Sequence, residues 1–530
     1  MEATESHSSW WVRILVLALL ALTLLSEERG VEQLAAWSSR ASAASLDWLQ
    51  GGGATAAADA MFAREVSARA DAAIRRVSAQ LQLSAEHLSR GTVGRGDKAP
   101  FWRLLERAAV IRRRGAGHIT VLNVGGSSST GADLERLDEI FSAVFARALE
   151  DVLGVPVVIL NAAVGATGSD YYAVCVSQHL SPAVDIVLTE NAVNDATLIG
   201  DGLEPATIVQ QLILSVRALA PHAILVYSGL IAAFSCWTGE DLPRVLSVYE
   251  LYNVSVVSTR NLVFGPPSTW SDGAACPALQ PPFTYEAMFK GKNHASSTGH
   301  AYLALLILNV FAEHFRAAVG PSSTAVQEIR PLFDASPYSG QPFNCKSTLS
   351  PRFGAPLIPV PTPGCEAVWA ASGEPELVGS GCGGFEASQL WGESVSATPV
   401  TSEVEDFPLV ENWDLSSASF FAPDKPGTVR QDRKYNWDSR GEGAAITFLV
   451  RVGAVGTLAV GYLAGDEFYG AATFYVSNAA GEAYSAEITD HVKSSRHTRA
   501  VILFRGLAAG WWRLRVEPHA RFGICAIATA

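Results

Sequence analysis

The feature that most constrains the fold is an alternation of strand-like and helix-like segments between residues 96 and 320. Apolar runs and helical periodicity predict strands at 118–124, 157–161, 185–189 and 223–227, and helices near 101–113, 133–152, 205–219, 241–250 and 298–317. Such alternation is typical of a mostly parallel sheet that carries helices on both faces. The sequence therefore predicts a three-layer α/β/α domain.

A loop rich in glycine and serine follows the strand predicted at 118–124. Residues 125–131 read GGSSSTG, and they place Ser127 at the carboxyl end of that strand, where ligands bind in parallel sheets. Gly165 and Asn194 follow the next two predicted strands. Taken alone, such a loop is also typical of a simple turn or of a helix start that binds phosphate. Three strand ends with such residues favour a common site.

The order of these segments resembles that of the SGNH (GDSL-type) hydrolases. Residues 125–131 match the first block of that family, Gly-Asp-Ser-x-Ser/Thr-x-Gly, except that Gly126 replaces the aspartate. Gly165 matches the second block, residues 192–195 match Gly-x-Asn-Asp with alanine for glycine, and residues 291–294 match Asp-x-x-His in its histidine. The resemblance implies an SGNH-hydrolase-like fold for the α/β domain.

The resemblance also implies a role for each matching residue in acyl transfer, which needs a nucleophile, a base and donors for the oxyanion. Ser127 would be the nucleophile and His294 its base. The backbone N–H groups of Ser127 and Gly165, with the Asn194 side chain, would form the oxyanion hole. Asp195 is expected on the substrate-binding side, where it would brace the third-block loop.

Position 291 is glycine where the family has the third triad residue, an aspartate. That carboxylate orients the histidine and stabilises the imidazolium that forms. Three interpretations follow: a Ser–His dyad helped by a backbone carbonyl, a carboxylate supplied from elsewhere, or a protein that binds without turnover. Glu286 and Asp272 are upstream carboxylates without the family's spacing, so a solvated Glu286 and an Asp–Gly turn are the favoured interpretations.

Aromatic residues are frequent between Cys236 and His294. We assign Trp237 from this group as a substrate-binding residue that lines an acyl or sugar pocket. A core position explains these aromatic residues equally well.

The region 365–530 contains short strand-like segments separated by turn residues, which predicts a β-sandwich. Its tryptophans, among them Trp511 and Trp512, resemble those of carbohydrate-binding sandwiches in general character. Burial in the sandwich core is the favoured position for most of them.

Composition divides the chain into five parts. The uncharged apolar run at 14–25 is typical of a signal peptide or a signal anchor, with the anchor favoured, so we expect a single-pass membrane protein with an external catalytic domain, or a secreted one. The predicted parts are the signal segment 1–30, an Ala/Ser-rich helical stalk 31–95, the SGNH-type domain 96–325, a Pro/Ser/Gly-rich linker 326–364 and the β-sandwich 365–530.

Net charge and cysteine content limit the classes of partner and cofactor that we expect the chain to bind. A net charge of −13 argues against nucleic acid as a partner, because an acidic surface repels phosphates. Seven cysteines without C-x-x-C spacing favour disulfides over a zinc site. Cys345 with Cys365 and Cys236 with Cys276 are candidate pairs, and Cys175 is the candidate unpaired thiol. We expect neither a metal ion nor an organic cofactor.

The sequence thus predicts a serine esterase that hydrolyses or transfers an ester-linked acyl group through an acyl-Ser127 intermediate. Small-molecule esters and O-acetyl groups on a glycan are the candidate substrates. The alternative is a catalytically impaired protein of the same fold that binds glycans or mediates adhesion. A distance within about 3.5 Å between Ser127 Oγ and a His294 ring nitrogen would favour the enzyme.

Overall fold

The computed structural model describes most of the α/β domain and the strands of the C-terminal region. The account below concerns residues 64–530, which form one compact unit. The described residues are 58–196, 205–232, 238–241, 244–266, 277–279, 281–290, 294–318, 344–347, 366–369, 375–378, 410–411, 413–418, 434–439, 445–464, 471–478, 480–489, 497–519 and 522–530.

A six-stranded sheet forms the centre of the α/β domain. It contains β1 Thr92–Arg95, β2 Ile119–Gly125, β3 Val157–Asn161, β4 Ile186–Glu190, β5 Ile224–Gly229 and β6 Ser255–Ser258. The strand order is β1-β6-β5-β4-β2-β3, and every neighbouring pair is parallel except β1 with β6. Strands β2, β4 and β6 are buried along their whole length, as central strands covered on both faces must be. The predicted mostly parallel sheet is confirmed.

Two groups of helices cover this sheet. The helices are α1 Ala85–Gly91, α2 Lys98–Arg114, α3 Ser127–Thr130, α4 Phe141–Leu153, α5 Ser169–Cys175, α6 Ala192–Asp195, α7 Pro205–Leu219, α8 Val245–Leu251, α9 Thr259–Phe264, α10 Tyr285–Met288 and α11 Ser297–Ala318. Phe311 of α11 contacts Phe101 of α2 and Phe145 of α4, with ring centroids 4.8 and 5.0 Å apart. Helices α5 and α7 pack on the face of β2 that presents Leu122 and Val124.

The interval predicted as a stalk contributes to the α/β domain. Residues 64–80 are helical, and Glu65 pairs with Arg112 of α2 at 2.7 Å. Strand β1 pairs with β6 and covers its edge. The domain therefore begins before residue 96. The sequence did not indicate this boundary, because a four-residue strand with little apolar character gives no clear signal.

The helix predicted at 133–152 begins only at Phe141. The preceding residues form turns and a short 3-10 helix at Leu137–Glu139. Asp133 has φ +66°, a left-handed conformation that an α-helix excludes and that aspartate tolerates better than most residues. Asp133 therefore lies in a loop at the carboxyl edge of the sheet.

Among the described residues, α11 is the one helix with the length and apolar composition of a membrane span, and 72% of its apolar window is buried inside the protein. The signal segment predicted at 1–30 lies outside the described residues.

The C-terminal region consists of antiparallel strands, as predicted. They are β9 Asn344–Ser347, β10 Glu366–Trp369, β11 Pro375–Val378, β12 Val410–Glu411, β13 Trp413–Ala418, β14 Lys434–Ser439, β15 Ala445–Val452, β16 Leu458–Ala464, β17 Ala472–Asn478, β18 Ala483–Ile488, β19 His497–Phe504, β20 Gly510–Pro518 and β21 Gly523–Thr529. A preceding two-stranded sheet, β7 Phe289–Lys290 with β8 His294–Ala295, belongs to the α/β domain.

Two of the C-terminal sheets form the sandwich. Their strand orders are β12-β15-β20-β17-β18 and β13-β14-β21-β16-β19, and β9 from the predicted linker also pairs with β21. Trp512 lies in the core between them, whereas the Trp511 side chain is exposed. The core position favoured for the tryptophans therefore holds for Trp512 and not for Trp511.

The α/β domain and the sandwich share a hydrophobic core. Tyr172 and Cys175 of α5 belong to one buried cluster with Ala500 of β19 and Cys525 of β21. Cys525 is a buried thiol, and Cys175 is disulfide-bonded. The prediction that Cys175 is unpaired is therefore wrong. Helix α5, which carries this cysteine, packs against strands of the sandwich.

Candidate active site

Ser127 lies on a tight turn at the carboxyl end of β2. The strand ends at Gly125, Gly126 caps α3, and Ser127 is the first residue of that short helix. A Cβ at Gly125 would lie 2.3 Å from the carbonyl oxygen of Glu190, and a Cβ at Gly126 would lie 2.1 Å from Asn194 Nδ2. Glycine at both positions lets the Ser127 backbone approach the neighbouring strand end and the Asn194 amide. The N–H of a first helical residue has no intrahelical acceptor, so that of Ser127 is available to a ligand.

His294 contacts Ser127, although the two residues are 167 positions apart in the sequence. Its Nε2 lies 2.9 Å from Ser127 Oγ, which is inside the limit expected for a nucleophile and its base. The β7–β8 pair and the start of α11 position the histidine, and the imidazole is largely buried. Ser127 and His294 are thus in hydrogen-bonding contact.

Asp133 supplies a carboxylate to the second nitrogen of the same ring. Its Oδ2 lies 2.6 Å from His294 Nδ1, and 47% of its side chain is exposed. A proton on Nδ1 that is donated to Asp133 leaves Nε2 to accept the hydroxyl proton of Ser127. Of the three interpretations left open by glycine at position 291, this geometry corresponds to a carboxylate from elsewhere in the chain.

The sequence reasoning missed Asp133 because it placed this residue at the start of a predicted helix. The available signal was its position directly after the glycine–serine loop, at the edge of the sheet where Ser127 lies. Glu286 is exposed in the first turn of α10, in agreement with a solvated side chain. Asp272 lies outside the described residues.

The buried His300 helps to position the loop that carries Asp133. Its Nδ1 accepts a hydrogen bond from the backbone N–H of Phe141 at 3.2 Å, where α4 begins. Burial, together with the nearby charge of His294, lowers the pKa of His300 to about 3. A neutral imidazole therefore anchors the end of the 131–140 loop.

Gly165 and Asn194 flank the Ser127 turn. The Val164 N–H next to Gly165 donates to the carbonyl of Gly125 at 2.9 Å. Asn194 Nδ2 donates to the carbonyl of Thr167 at 2.8 Å and lies beside the Gly126 backbone. The structure thus brings the second and third blocks to the turn that carries Ser127.

The Asp195 side chain links the third block to Ser169, which directly follows the second block. Its two oxygens accept hydrogen bonds from the backbone N–H and the hydroxyl of Ser169, each at 2.7 Å. Burial raises the pKa of Asp195 to about 7. These contacts are those of a bracing residue, and its assignment to substrate binding stays a prediction. Trp237 lies outside the described residues.

A buried tyrosine supports the same turn. The Tyr172 hydroxyl donates to the carbonyl of Gly125 at 3.0 Å and accepts from the N–H of Val164 at 3.1 Å. Burial raises the pKa of Tyr172, so the phenol stays protonated and can donate. No group of three metal-ligating side chains occurs within the described part of the chain.

The fold of this chain is similar to that of a solved protein. No family model and no curated protein matches the chain. The chain is similar to a two-domain esterase active on acetylated mannans, solved with mannopentaose, at a TM-score of 0.51 and 13% identity over 83% of this chain and 97% of that one. A second structure of a two-domain esterase active on acetylated mannans gives a TM-score of 0.49 at 12% identity, covering 83% of this chain and 98% of that one. The first likeness shows that this succession of an α/β domain and a β-rich domain recurs in a solved protein.

Proposed function

We propose that the protein is an SGNH-type serine esterase that cleaves an ester-linked acyl group through an acyl-Ser127 intermediate. The observation that carries this proposal is the series of contacts from Ser127 Oγ to His294 at 2.9 Å and from His294 to Asp133 at 2.6 Å. A nucleophile, a base and a group that orients the base stand here in the order that acyl transfer requires.

The reaction begins when Ser127 Oγ attacks the ester carbonyl carbon and His294 Nε2 takes the hydroxyl proton. Asp133 holds the Nδ1 proton and stabilises the imidazolium. Collapse of the tetrahedral intermediate breaks the bond to the alcohol oxygen, which receives the proton from His294. A water molecule, deprotonated by His294 Nε2, then attacks the acyl carbon. Collapse of this second tetrahedral intermediate breaks the bond to Ser127 Oγ, which receives the proton from His294, and the acid is released.

The negative oxygen of the tetrahedral intermediates is stabilised by donors on the opposite side of Ser127. We assign this role to the backbone N–H groups of Ser127 and Gly165 and to the Asn194 amide. Asn194 Nδ2 donates a hydrogen bond to the carbonyl of Thr167, which holds the amide beside the Ser127 turn. Such donors act strongly because they are already in place when the charge develops.

An O-acetyl group on a glycan is the substrate that we propose. The two-domain fold is shared with an esterase active on acetylated mannans, which supports this choice. The proposal includes the signal anchor or signal peptide predicted at 1–30, which would bring the catalytic domain into the secretory pathway, where glycans are exposed.

The decisive experiment compares hydrolysis of p-nitrophenyl acetate by the full chain and by Ser127→Ala. We expect kcat/KM to fall by about 10⁴-fold or more, because the attacking oxygen is lost. Ser128→Ala is the matched control, since it removes the neighbouring buried hydroxyl and should change the rate only slightly. Equal rates for the wild type and Ser127→Ala would refute the esterase and favour a protein that binds without turnover.

The substrate class is tested by acetate release from acetylated mannan and from the same polymer after chemical deacetylation. Release from the first that depends on Ser127 supports the glycan ester. Hydrolysis of p-nitrophenyl acetate without release from acetylated glycans would support an esterase for another substrate.

A further inference from the structure

The outer edge of strand β19 lies against the loop that follows β3. Strand β19 is at the end of its sheet and pairs with β16 on one side only. On its other side the Thr498 N–H donates to the carbonyl of Ala166 at 2.8 Å, and the Ala500 N–H donates to Asp170 Oδ2 at 2.9 Å. Residues two apart in a strand point their N–H groups to the same edge. The α/β domain thus covers an edge that would otherwise expose backbone donors.

These bonds fix the backbone on both sides of Gly165. Upstream, the Val164 N–H is bonded to Gly125 of the Ser127 turn, and downstream the Ala166 carbonyl is bonded to Thr498 of the sandwich. Ala166 has φ +51°, which a residue with a Cβ keeps only where its surroundings hold it. The direction of the Gly165 N–H therefore depends on a strand of the other domain.

Arg499 lies between the two bonded residues of β19 and is a buried positive charge. Its exposure is only 2%, and its charge interacts with the carboxyl groups of Asp170 and Asp195. Burial raises the pKa of both carboxyl groups, and Arg499 opposes this effect on each. A Cβ at Gly168 would lie 2.7 Å from Asp170 Oδ1 and 3.0 Å from Asp195 Oδ1, so the two groups converge on one backbone position.

Asp195 extends this arrangement to Asn194, the side-chain donor of the proposed oxyanion hole. It follows Asn194 in α6 and accepts both hydrogen bonds of Ser169, the residue that begins α5. Movement of the Ser169–Asp170 segment would therefore shift the loop of Gly165 and the helix of Asn194 together.

We propose that strand β19 of the C-terminal sandwich positions the oxyanion hole of the α/β domain, with Arg499 as a positioning residue. The sandwich is then a structural part of the active site as well as an appended domain. This inference rests on the proposed function, because an oxyanion hole has meaning only for acyl transfer.

The test compares Arg499→Met in the full chain with Arg505→Met, an exposed arginine just beyond the end of β19. We expect kcat for p-nitrophenyl acetate to fall by about tenfold in Arg499→Met with little change in KM, because oxyanion donors act in the transition state more than in the bound substrate. Arg505→Met should leave both constants unchanged. Arg499→Lys keeps the positive charge and should recover part of kcat.

Hydrogen exchange of residues 163–168 gives a readout that does not depend on activity. Exchange should be faster in Arg499→Met and unchanged in Arg505→Met. Wild-type kcat and wild-type exchange in a folded Arg499→Met protein would overturn the proposal. Faster exchange with wild-type kcat would overturn it also, because the loop would then be held without effect on catalysis.

Thr498→Pro provides a second variant if Arg499→Met does not fold. Proline removes the N–H that bonds Ala166, and proline is tolerated where a strand's N–H faces away from its own sheet. The same fall in kcat and the same faster exchange are expected, and their absence would overturn the proposal. If Ser127→Ala matches the wild type, the esterase fails independently, and the exchange data still decide whether β19 holds the loop.

Discussion

The two sides of the Ser127 turn are held in different ways. On the side proposed for proton transfer, His294 and Asp133 both belong to the α/β domain, and nearly half of the Asp133 side chain is exposed. On the proposed oxyanion side, Asp170 and Asp195 are buried, and Asp170 accepts a hydrogen bond from β19 of the sandwich. One side therefore depends on a single short contact near solvent, and the other depends on a buried arrangement that spans two domains.

This difference corresponds to what each side must do. Orienting an imidazole requires one acceptor at Nδ1, which a loop carboxylate can supply even near water. Stabilising an oxyanion requires donors that are in place before the charge forms and that do not reorganise during the reaction. Burial and attachment to a second domain supply that rigidity, so we expect the two sides to respond differently to substitution.

The largest effect is expected for Asp133→Asn. An amide can present its N–H₂ to Nδ1 and favour the wrong tautomer of His294, so kcat should fall by about 10²- to 10⁴-fold. Glu135→Gln is the control, since Glu135 lies in the same loop, is highly exposed and pairs with Lys290 at 3.0 Å. Steady-state kinetics of both variants measure the effect. Equal activity of Asp133→Asn and the wild type would mean that Asp133 has no part in orienting the base.

Much of the architecture could be predicted from the sequence because its signals are local. Apolar runs predicted the parallel sheet, and short strand-like segments separated by turn residues predicted the C-terminal sheets. Block order led to the pairing of Ser127 with His294, which lie in contact although they are 167 residues apart. The first three blocks carry information about space because each follows a strand that ends at the same edge of the sheet.

The contact of Asp133 with His294 and the contact of β19 with the α/β domain could not be found in this way, for physical reasons. Asp133 depends on a left-handed backbone conformation in a loop, which no periodicity reveals. The contact between β19 and the α/β domain joins residues 330 or more positions apart through backbone N–H groups, which every non-proline residue has. Neither residue type nor spacing therefore marks these contacts in the sequence.

A smaller effect is expected for Gly126→Ala, which tests the oxyanion side. The new Cβ would lie 2.1 Å from Asn194 Nδ2, so the amide must move away from the Ser127 turn. Loss of one oxyanion donor costs about 10²- to 10³-fold in kcat, and a displaced donor should cost up to about 10²-fold. The aspartate that SGNH hydrolases carry at this position would be harmful here for the same reason.

The fall in kcat of Gly126→Ala can be traced to Asn194 by a double-mutant cycle. The cycle adds Asn194→Ala and the double variant that carries both substitutions. If the fall acts through Asn194, Gly126→Ala should add little to Asn194→Ala, so the two changes in activation free energy should not be additive. Measurement of kcat for all four proteins completes the cycle. Fully additive losses would show that Gly126 matters for another reason, such as the backbone conformation of the turn.

The smallest effect is expected for Asp195→Asn, and it concerns stability as a function of pH. Because burial raises the pKa of Asp195 to about 7, the folded protein keeps this proton at a pH where the unfolded chain has released it. The contribution of Asp195 to stability is therefore greatest below about pH 4 and declines as the pH rises to about 7. The asparagine variant cannot titrate at this position, so it lacks this decline.

The Tm difference between the wild type and Asp195→Asn, measured from pH 4.5 to 7.5, isolates this titration. We expect the wild type to lose a few degrees relative to the variant over that interval, since each unit of pKa shift corresponds to about 1.4 kcal/mol. A Tm difference independent of pH would mean that Asp195 is already ionised in the folded protein and that the charge of Arg499 outweighs the cost of burial.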